Sequence, residues 1–362
     1  MEDFKYKLPM GKKILKKRIP FNKLSQIQQK IYKRIYDPIN GPLEFAEHCC
    51  YANRNGVVQY IPYDYQREMI FNMHCYDSNI SMCGRQMGKT QTSVCYILWF
   101  AMANSHKTIL ITSFGDDSAK KNLADVKFVY EYCPDFLKAG IVRMNESTIV
   151  FDNGSKIISK PTTGKSVRGN SPSLIYCDEF AFVGTVGNKT SNNLQEEFYA
   201  AVSPALAASK GKICITSTPI SETDLFHHLW VGAINKQDDN GLDLSPNYMI
   251  EINGELYRDM HLFKTEDEGK IYLNSIGNPK GWKIVPKIPC GNNGFMSLLA
   301  TWERCPGRTE EWARLERKKV GDARFNREYN CLSGKSMVCV IDDYGNELHI
   351  PIETLYSYHM SK

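Results

Sequence analysis

The 362-residue sequence has no uninterrupted apolar stretch of about 18 residues, which leaves no candidate transmembrane helix. Its N-terminus lacks the apolar core of a signal peptide, which argues against secretion. It contains no C-x-x-C pair. Its 12 cysteines, with Cys49 and Cys50 adjacent, therefore suit neither a zinc site nor a disulfide framework. They read as reduced thiols of an intracellular protein, most of them small core residues. Internal repeats and low-complexity blocks are missing as well. With 42% hydrophobic and 23% charged residues, the composition is that of a globular chain rather than a disordered one, and the length allows two or three domains.

Net positive charge is confined to one segment. Residues 1–34 hold 11 Lys and Arg against two acids, a local +9, while the whole chain carries only +5, so the remainder is −4. The densest part is Lys12-Lys13-Ile14-Leu15-Lys16-Lys17-Arg18. Such an arm attracts nucleic acid phosphates or an acidic partner, or is simply a solvated helix or tail.

Residues 35–62 read as a loop-rich entry segment around Asp37-Pro38-Ile39-Asn40-Gly41-Pro42. From Tyr65 onward, strands and helices alternate. Asn79–Cys83, Thr108–Ser113, Leu174–Cys177 and Lys212–Thr216 are short apolar strands, Thr90–Asn104 is an apolar helix, and Asp117–Leu137 has helical spacing. Asn153-Gly154 marks a hairpin between Ser147–Asp152 and Ser155–Ser159. Fully apolar strands alternating with helices indicate an α/β fold with a mainly parallel central sheet covered on both faces. Residues 236–300 have weak periodicity and resist placement. Glu303–Lys319 reads as a charged helix.

Residues 83–90 are Cys-Gly-Arg-Gln-Met-Gly-Lys-Thr. They match the phosphate-binding pattern G-x-x-x-x-G-K-[ST] except that Cys83 replaces the first glycine. Backbone N–H groups from Gly84, Arg85, Gln86 and Met87 to the helix start at Thr90 can face phosphates, helped by the helix dipole. Gly88 permits close approach, Lys89 supplies a point charge, and the Thr90 hydroxyl can ligate Mg²⁺. Further on, the Leu174-Ile175-Tyr176-Cys177 strand ends in Asp178-Glu179. Asp178 suits Mg²⁺ through water, and Glu179 can orient or deprotonate an attacking water. Gln66, in Pro62-Tyr63-Asp64-Tyr65-Gln66-Arg67, carries an amide able to read an adenine edge. Thr216-Ser217-Thr218-Pro219 closes another strand with hydroxyls that could sense a γ-phosphate. Each feature alone has a bland alternative: a surface turn, two solvated acids, a helix-start glutamine, a polar turn.

Taken together and in this order, the motifs resemble the large terminase subunits of tailed phages, ATP-driven motors that push DNA into an empty capsid. The missing first glycine and the Arg85-Gln86 pair before Gly88-Lys89-Thr90 are similar to that family's loop. So are Val167-Arg168-Gly169-Asn170-Ser171, Cys133-Pro134-Asp135-Phe136-Leu137 and Phe151-Asp152-Asn153-Gly154-Ser155. The likeness covers roughly residues 60–330. It implies a P-loop ATPase fold with ATP and Mg²⁺ as ligands. Arg85 would act in cis on the γ-phosphate, Gln66 would read adenine, and Lys89 and Thr90 would hold phosphate and metal. Asp178 would support the metal, Glu179 would activate water, and Thr216, Ser217 and Thr218 would couple hydrolysis to movement. The implied partners are double-stranded DNA, a portal protein, a small terminase subunit and further copies of the chain in a ring, all in the host cytoplasm with no membrane. A helicase-like translocase is the alternative enzyme class, and a truncated, non-enzymatic remnant is a third reading.

Large terminases also carry a ribonuclease H-like nuclease domain, for which residues 331–362 are too few. Val338-Cys339-Val340-Ile341-Asp342-Asp343 could be the start of one. The tail from Cys331-Leu332-Ser333-Gly334-Lys335-Ser336, with an expected β-hairpin turning at 342–347, more closely resembles the N-terminal piece of a split intein. That resemblance implies that the Cys331 thiolate attacks the Asn330 carbonyl once a complementary C-terminal intein/nuclease chain docks. His349 does not match the intein histidine, and a terminal Asn is absent. The expected organisation is a basic arm and entry segment (1–60), a P-loop ATPase core (61–235), a subdomain or linker (236–330) and the intein segment (331–362).

Overall fold

Strands form where β-branched and apolar residues run without interruption. In the computed structural model these are β1 (Ser78–Cys83), β2 (Thr108–Ser113), β3 (Ile141–Asn145), β4 (Thr148–Phe151), β5 (Lys156–Pro161), β6 (Leu174–Asp178), β7 (Lys212–Ser217) and β8 (Met296–Ala300). The structure describes residues 8–11, 13–38, 40–53, 55–186, 189–190, 193–237, 247–252, 255–257, 263, 265–287, 290–331, 337–341 and 347–351. The eight strands make one sheet in the order β8-β1-β7-β6-β2-β5-β4-β3. Neighbours from β8 to β5 are parallel, and β4 and β3 add on antiparallel. This is the mainly parallel α/β sheet that the apolar runs imply.

Both faces of the sheet are covered, which is why its strands do not alternate with polar residues. One face, through Ile109, Ile111, Leu174, Tyr176 and Cys214, belongs to the same buried cluster as α1 (Gln26–Ile35), α2 (Gly41–Cys49), α3 (Asp64–Cys75), α4 (Lys89–Ala103) and α5 (Asp116–Tyr132). The opposite face, through Leu110, Ile175, Cys177, Ile213 and Ile215, packs with α6 (Asn193–Ser209) and α7 (Leu225–Ile234). Burying each large side chain contributes about 1.5–3 kcal/mol. The parallel strands bring Cys83, Ser113, Asp178, Ser217 and Ala300 to one carboxyl edge, where open α/β sheets bind ligands.

Several elements differ from the sequence reading. The helix expected to reach Leu137 stops at Tyr132, because Pro134 cannot continue it, and a 3₁₀ turn follows at Asp135–Leu137. The entry segment is not mostly loop: Pro42 sits in the first turn of α2, and Tyr51–Asn53 pairs with Val57–Gln59. The helix expected over Glu303–Lys319 begins only at Glu310. Cys305-Pro306-Gly307 interrupts it, and Thr309 caps the new start by accepting from the Trp312 N–H at 3.2 Å. The unplaced 236–300 stretch supplies β8 to the central sheet. It also forms a three-stranded antiparallel sheet (Asn247–Ile252, Glu255–Tyr257, Trp282–Lys287) packed against a helix at Glu266–Ser275.

The described part of the basic arm lies against the core. Gly11 N–H donates to Tyr132 O at 3.0 Å, and Leu15 O accepts from Ile141 N–H at 2.6 Å. The Arg18 backbone N–H donates to Asp152 at 2.6 Å, and its guanidinium reaches Tyr32 and Met102 O. Fully buried Lys138 donates to Lys13 O, Glu131 O and Asp135 Oδ1 at 2.8, 2.8 and 2.7 Å. At the other end Met337–Ile341 and Glu347–Pro351 form an antiparallel hairpin, while the remaining tail positions 332–336, 342–346 and 352–362 lie outside the described residues. No helix among the described residues is long and apolar enough to cross a membrane.

Candidate functional site

The Cys83–Thr90 loop leaves the end of β1 and enters α4. Gln86 and Gly88 take positive φ (58° and 72°), which turns the chain over the helix N-terminus. At Gly88 a side chain is excluded twice: the φ favours glycine, and a Cβ would stand 2.7 Å from Gln66 Nε2. The Met87 carbonyl is held by Tyr65 OH at 2.8 Å and Gln66 Nε2 at 2.9 Å. Gln66 is buried, and its Oε1 accepts from Tyr63 N–H at 2.9 Å and Tyr60 OH at 3.1 Å. In this arrangement its amide shapes the loop. The Gly84 and Arg85 amides donate to Ala300 O (2.9 Å) and Glu328 O (2.7 Å). Arg308 donates to the carbonyls of Arg85 and Gln86 at 3.1 and 3.4 Å.

Across the edge, β6 delivers Asp178 and then turns at Glu179, whose φ of 51° is left-handed. That conformation costs a non-glycine residue about 1 kcal/mol, and here it aims the carboxylate back at the loop. Lys89 Nζ lies 2.9 Å from Glu179 Oε1. Burial opposes the lysine charge, but the Glu179 and Asp178 carboxylates outweigh it and hold the Lys89 pKa above its ordinary value. Glu179 Oε2 is buried and has no hydrogen-bond partner among the described residues.

Asp178 is fixed from both sides. Its Oδ1 accepts from Tyr176 OH (2.9 Å) and Thr216 Oγ1 (3.1 Å), and its Oδ2 from Asn122 Nδ2 (2.9 Å) and Thr90 Oγ1 (3.3 Å). The Thr90–Asp178 contact puts a hydroxyl and a carboxylate together at the start of α4. These are hard oxygen donors of the kind Mg²⁺ takes, so the residues fit that ion beside a polyphosphate. The β7 tip lies between the two halves of the site. Thr216 bonds Asp178, Ser217 accepts from Ala181 N–H at 3.1 Å, and Thr218 donates to Cys83 O at 3.1 Å. Burial pushes the Cys83 thiol up to about 12, so it is neutral near pH 7.

The fold therefore brings Gln66, residues 84–90, Asp178, Glu179 and Thr216–Thr218 to one edge. Cys331 lies just behind it. It has 6% exposure and a left-handed φ of 57°, and its thiol is raised mainly by burial, with Cys83 adding to the effect. Sequence reasoning missed Tyr60, Asn122, Tyr176, Arg308 and Glu328. Asn122 was detectable as a polar residue on the apolar side of a helix. Arg308 and Glu328 lie more than 200 residues from the loop they touch, and nothing local marks them.

The family model described as terminase large subunit, T4likevirus-type, N-terminal, matches residues 80–337, more than two thirds of the chain. Among solved structures the chain is similar to the large terminase ATPase domain of Thermus phage P74-26. Identity there is 17% over 75% of this chain and 94% of that one, with a TM-score of 0.48. It is similar too to the large terminase of bacteriophage HK97 (13%, 85% and 56%, TM-score 0.48). A third is the large terminase of a thermophilic bacteriophage in complex with ADP (11%, 79% and 56%, TM-score 0.46). The chain spans little more than half the length of the last two.

Proposed function

The chain belongs to the T4likevirus-type N-terminal family of terminase large subunits, and from that premise we propose that it is an ATP hydrolase whose turnover drives double-stranded DNA into a phage procapsid. The observation that carries the reading is the meeting of Lys89 and Glu179, 2.9 Å apart, between a phosphate-binding loop and the Asp178 strand end. In this reading the triphosphate lies on the amides from Gln86 to Thr90, because those of Gly84 and Arg85 are already engaged. Lys89 leaves Glu179 for the β- and γ-phosphates. Magnesium would be held by the Thr90 hydroxyl and, through water, by Asp178, and would neutralise charge developing between the phosphates.

Glu179, freed from Lys89, orients a water and takes its proton as the oxygen attacks the γ-phosphorus. The β–γ bridging bond breaks, and ADP leaves with the electron pair. Arg85 stabilises the γ-phosphate charge in cis. For Gln66 to read adenine, its amide must turn away from Met87 O, Tyr63 N–H and Tyr60 OH, which engage both of its ends in this arrangement. The Thr216–Ser217–Thr218 tip links the Asp178 strand to the base of the loop, a route by which phosphate loss shifts the elements that grip DNA. Working partners are a portal protein, a small terminase subunit and further copies of the chain in a ring, in the host cytoplasm. Lys89→Ala is expected to abolish ATP binding and turnover. Glu179→Gln should keep binding within a few-fold while cutting turnover by about 10²–10⁴. A wild-type rate in either variant overturns the assignment.

The segment from Cys331 is proposed to act in trans-splicing. Its sulfur attacks the Asn330 carbonyl carbon, the Asn330–Cys331 C–N bond breaks, and a thioester and a free amine result. Burial of the thiol supports a resting state that reacts only after a complementary intein chain, carrying the nuclease domain, pulls the junction open. Mixing the two chains should yield a longer ligated product, absent with Cys331→Ala. Failure of the wild-type pair to ligate excludes splicing.

A further inference from the structure

Glu328 stands out among buried acids. It is 5% exposed and lies in a π-helical turn, Asn326–Asn330, that contacts the phosphate-binding loop. Its carbonyl accepts the Arg85 N–H at 2.7 Å, and its carboxylate Oε2 lies 3.5 Å from Arg85 Nε. The same carboxylate bonds Arg324 at 2.8 Å and lies 3.8 Å from Arg327. Arg308, stacked on Trp312 and Tyr329, grips the Arg85 carbonyl from the other side. The approach is close enough that a Cβ on Gly84 would stand 2.8 Å from Tyr329 O.

We propose that Glu328 is a positioning residue for Arg85, the resting counter-ion from which the Arg85 side chain is released to the γ-phosphate of ATP. The inference rests on the ATPase reading above. Three guanidiniums face one carboxylate, so the cluster carries surplus positive charge. Of the three, Arg85 belongs to the phosphate-binding loop, and its side chain is 48% exposed. Its departure leaves Glu328 bonded to Arg324 at 2.8 Å, so no buried carboxylate is stranded. The backbone bond from Arg85 to the Glu328 carbonyl keeps the loop in place while the side chain swings. Glu328 thereby competes with the terminal phosphate of ATP and not with ADP, which has no γ-phosphate.

The test is titration of the purified chain with fluorescent ATP and ADP analogues. Glu328→Gln should tighten ATP binding about three- to ten-fold, leave ADP binding unchanged, and lose this effect in an Arg85→Gln background. Equal effects on both nucleotides, weaker ATP binding, or persistence of the effect without Arg85 overturns the proposal. If Glu328→Gln does not fold, Glu328→Asp, which draws the carboxylate back by one methylene, is expected to show the same preference for ATP. A wild-type chain that binds neither nucleotide overturns the ATPase reading and this inference with it. Nucleotide binding with unchanged discrimination overturns this inference alone.

Discussion

Single side chains in this protein do two kinds of work, and sequence motifs do not separate them. Asn153, part of a family-like segment, donates to the carbonyls of Ala101, Met102 and Asn104 and so caps the end of α4. Asp152 beside it receives the Arg18 and Gly140 N–H groups. These residues anchor the frame rather than touch the candidate site. Lys138 does the same for the basic arm, because its ammonium satisfies three oxygens while fully buried. Replacing it with methionine, which keeps the stem and removes the donors, is expected to cost about 3 kcal/mol. Urea unfolding would read this as a lowered midpoint at constant slope. A midpoint within error of wild type would mean that the arm is fastened elsewhere.

Among the elements, legibility followed periodicity. β1, β2, β6 and β7 could be read because two-sided burial demands unbroken apolar runs. The loop could be read because Gly88, Lys89 and Thr90 each meet a local requirement. β8 could not, since Met296-Ser297-Leu298-Leu299-Ala300 resembles the turn-rich sequence around it and is selected as a strand only by pairing with β1. The turn at Asn326–Asn330 was hidden for the same reason. Both hidden elements bind the Gly84-Arg85 end of the loop. A chain ending at residue 295 is therefore expected to lose nucleotide binding even though every motif residue of the loop and of the Asp178 strand is retained. Binding of a fluorescent ATP analogue at wild-type strength by such a chain would show that β8 and the turn are dispensable.

For the whole molecule, the strand order has a consequence in time. β1 is made early but sits between β7 and β8, and the loop that leaves it is closed off by Glu328. Contacts so distant in sequence form slowly, because a long intervening chain must first be ordered. On a ribosome, the nascent loop at Gly84 waits for more than 200 further residues before Ala300 and Glu328 emerge to complete it. The π-helical turn is synthesised only some thirty residues after β8, so the two elements that fasten the Gly84-Arg85 end of the loop arrive almost together, long after the loop itself.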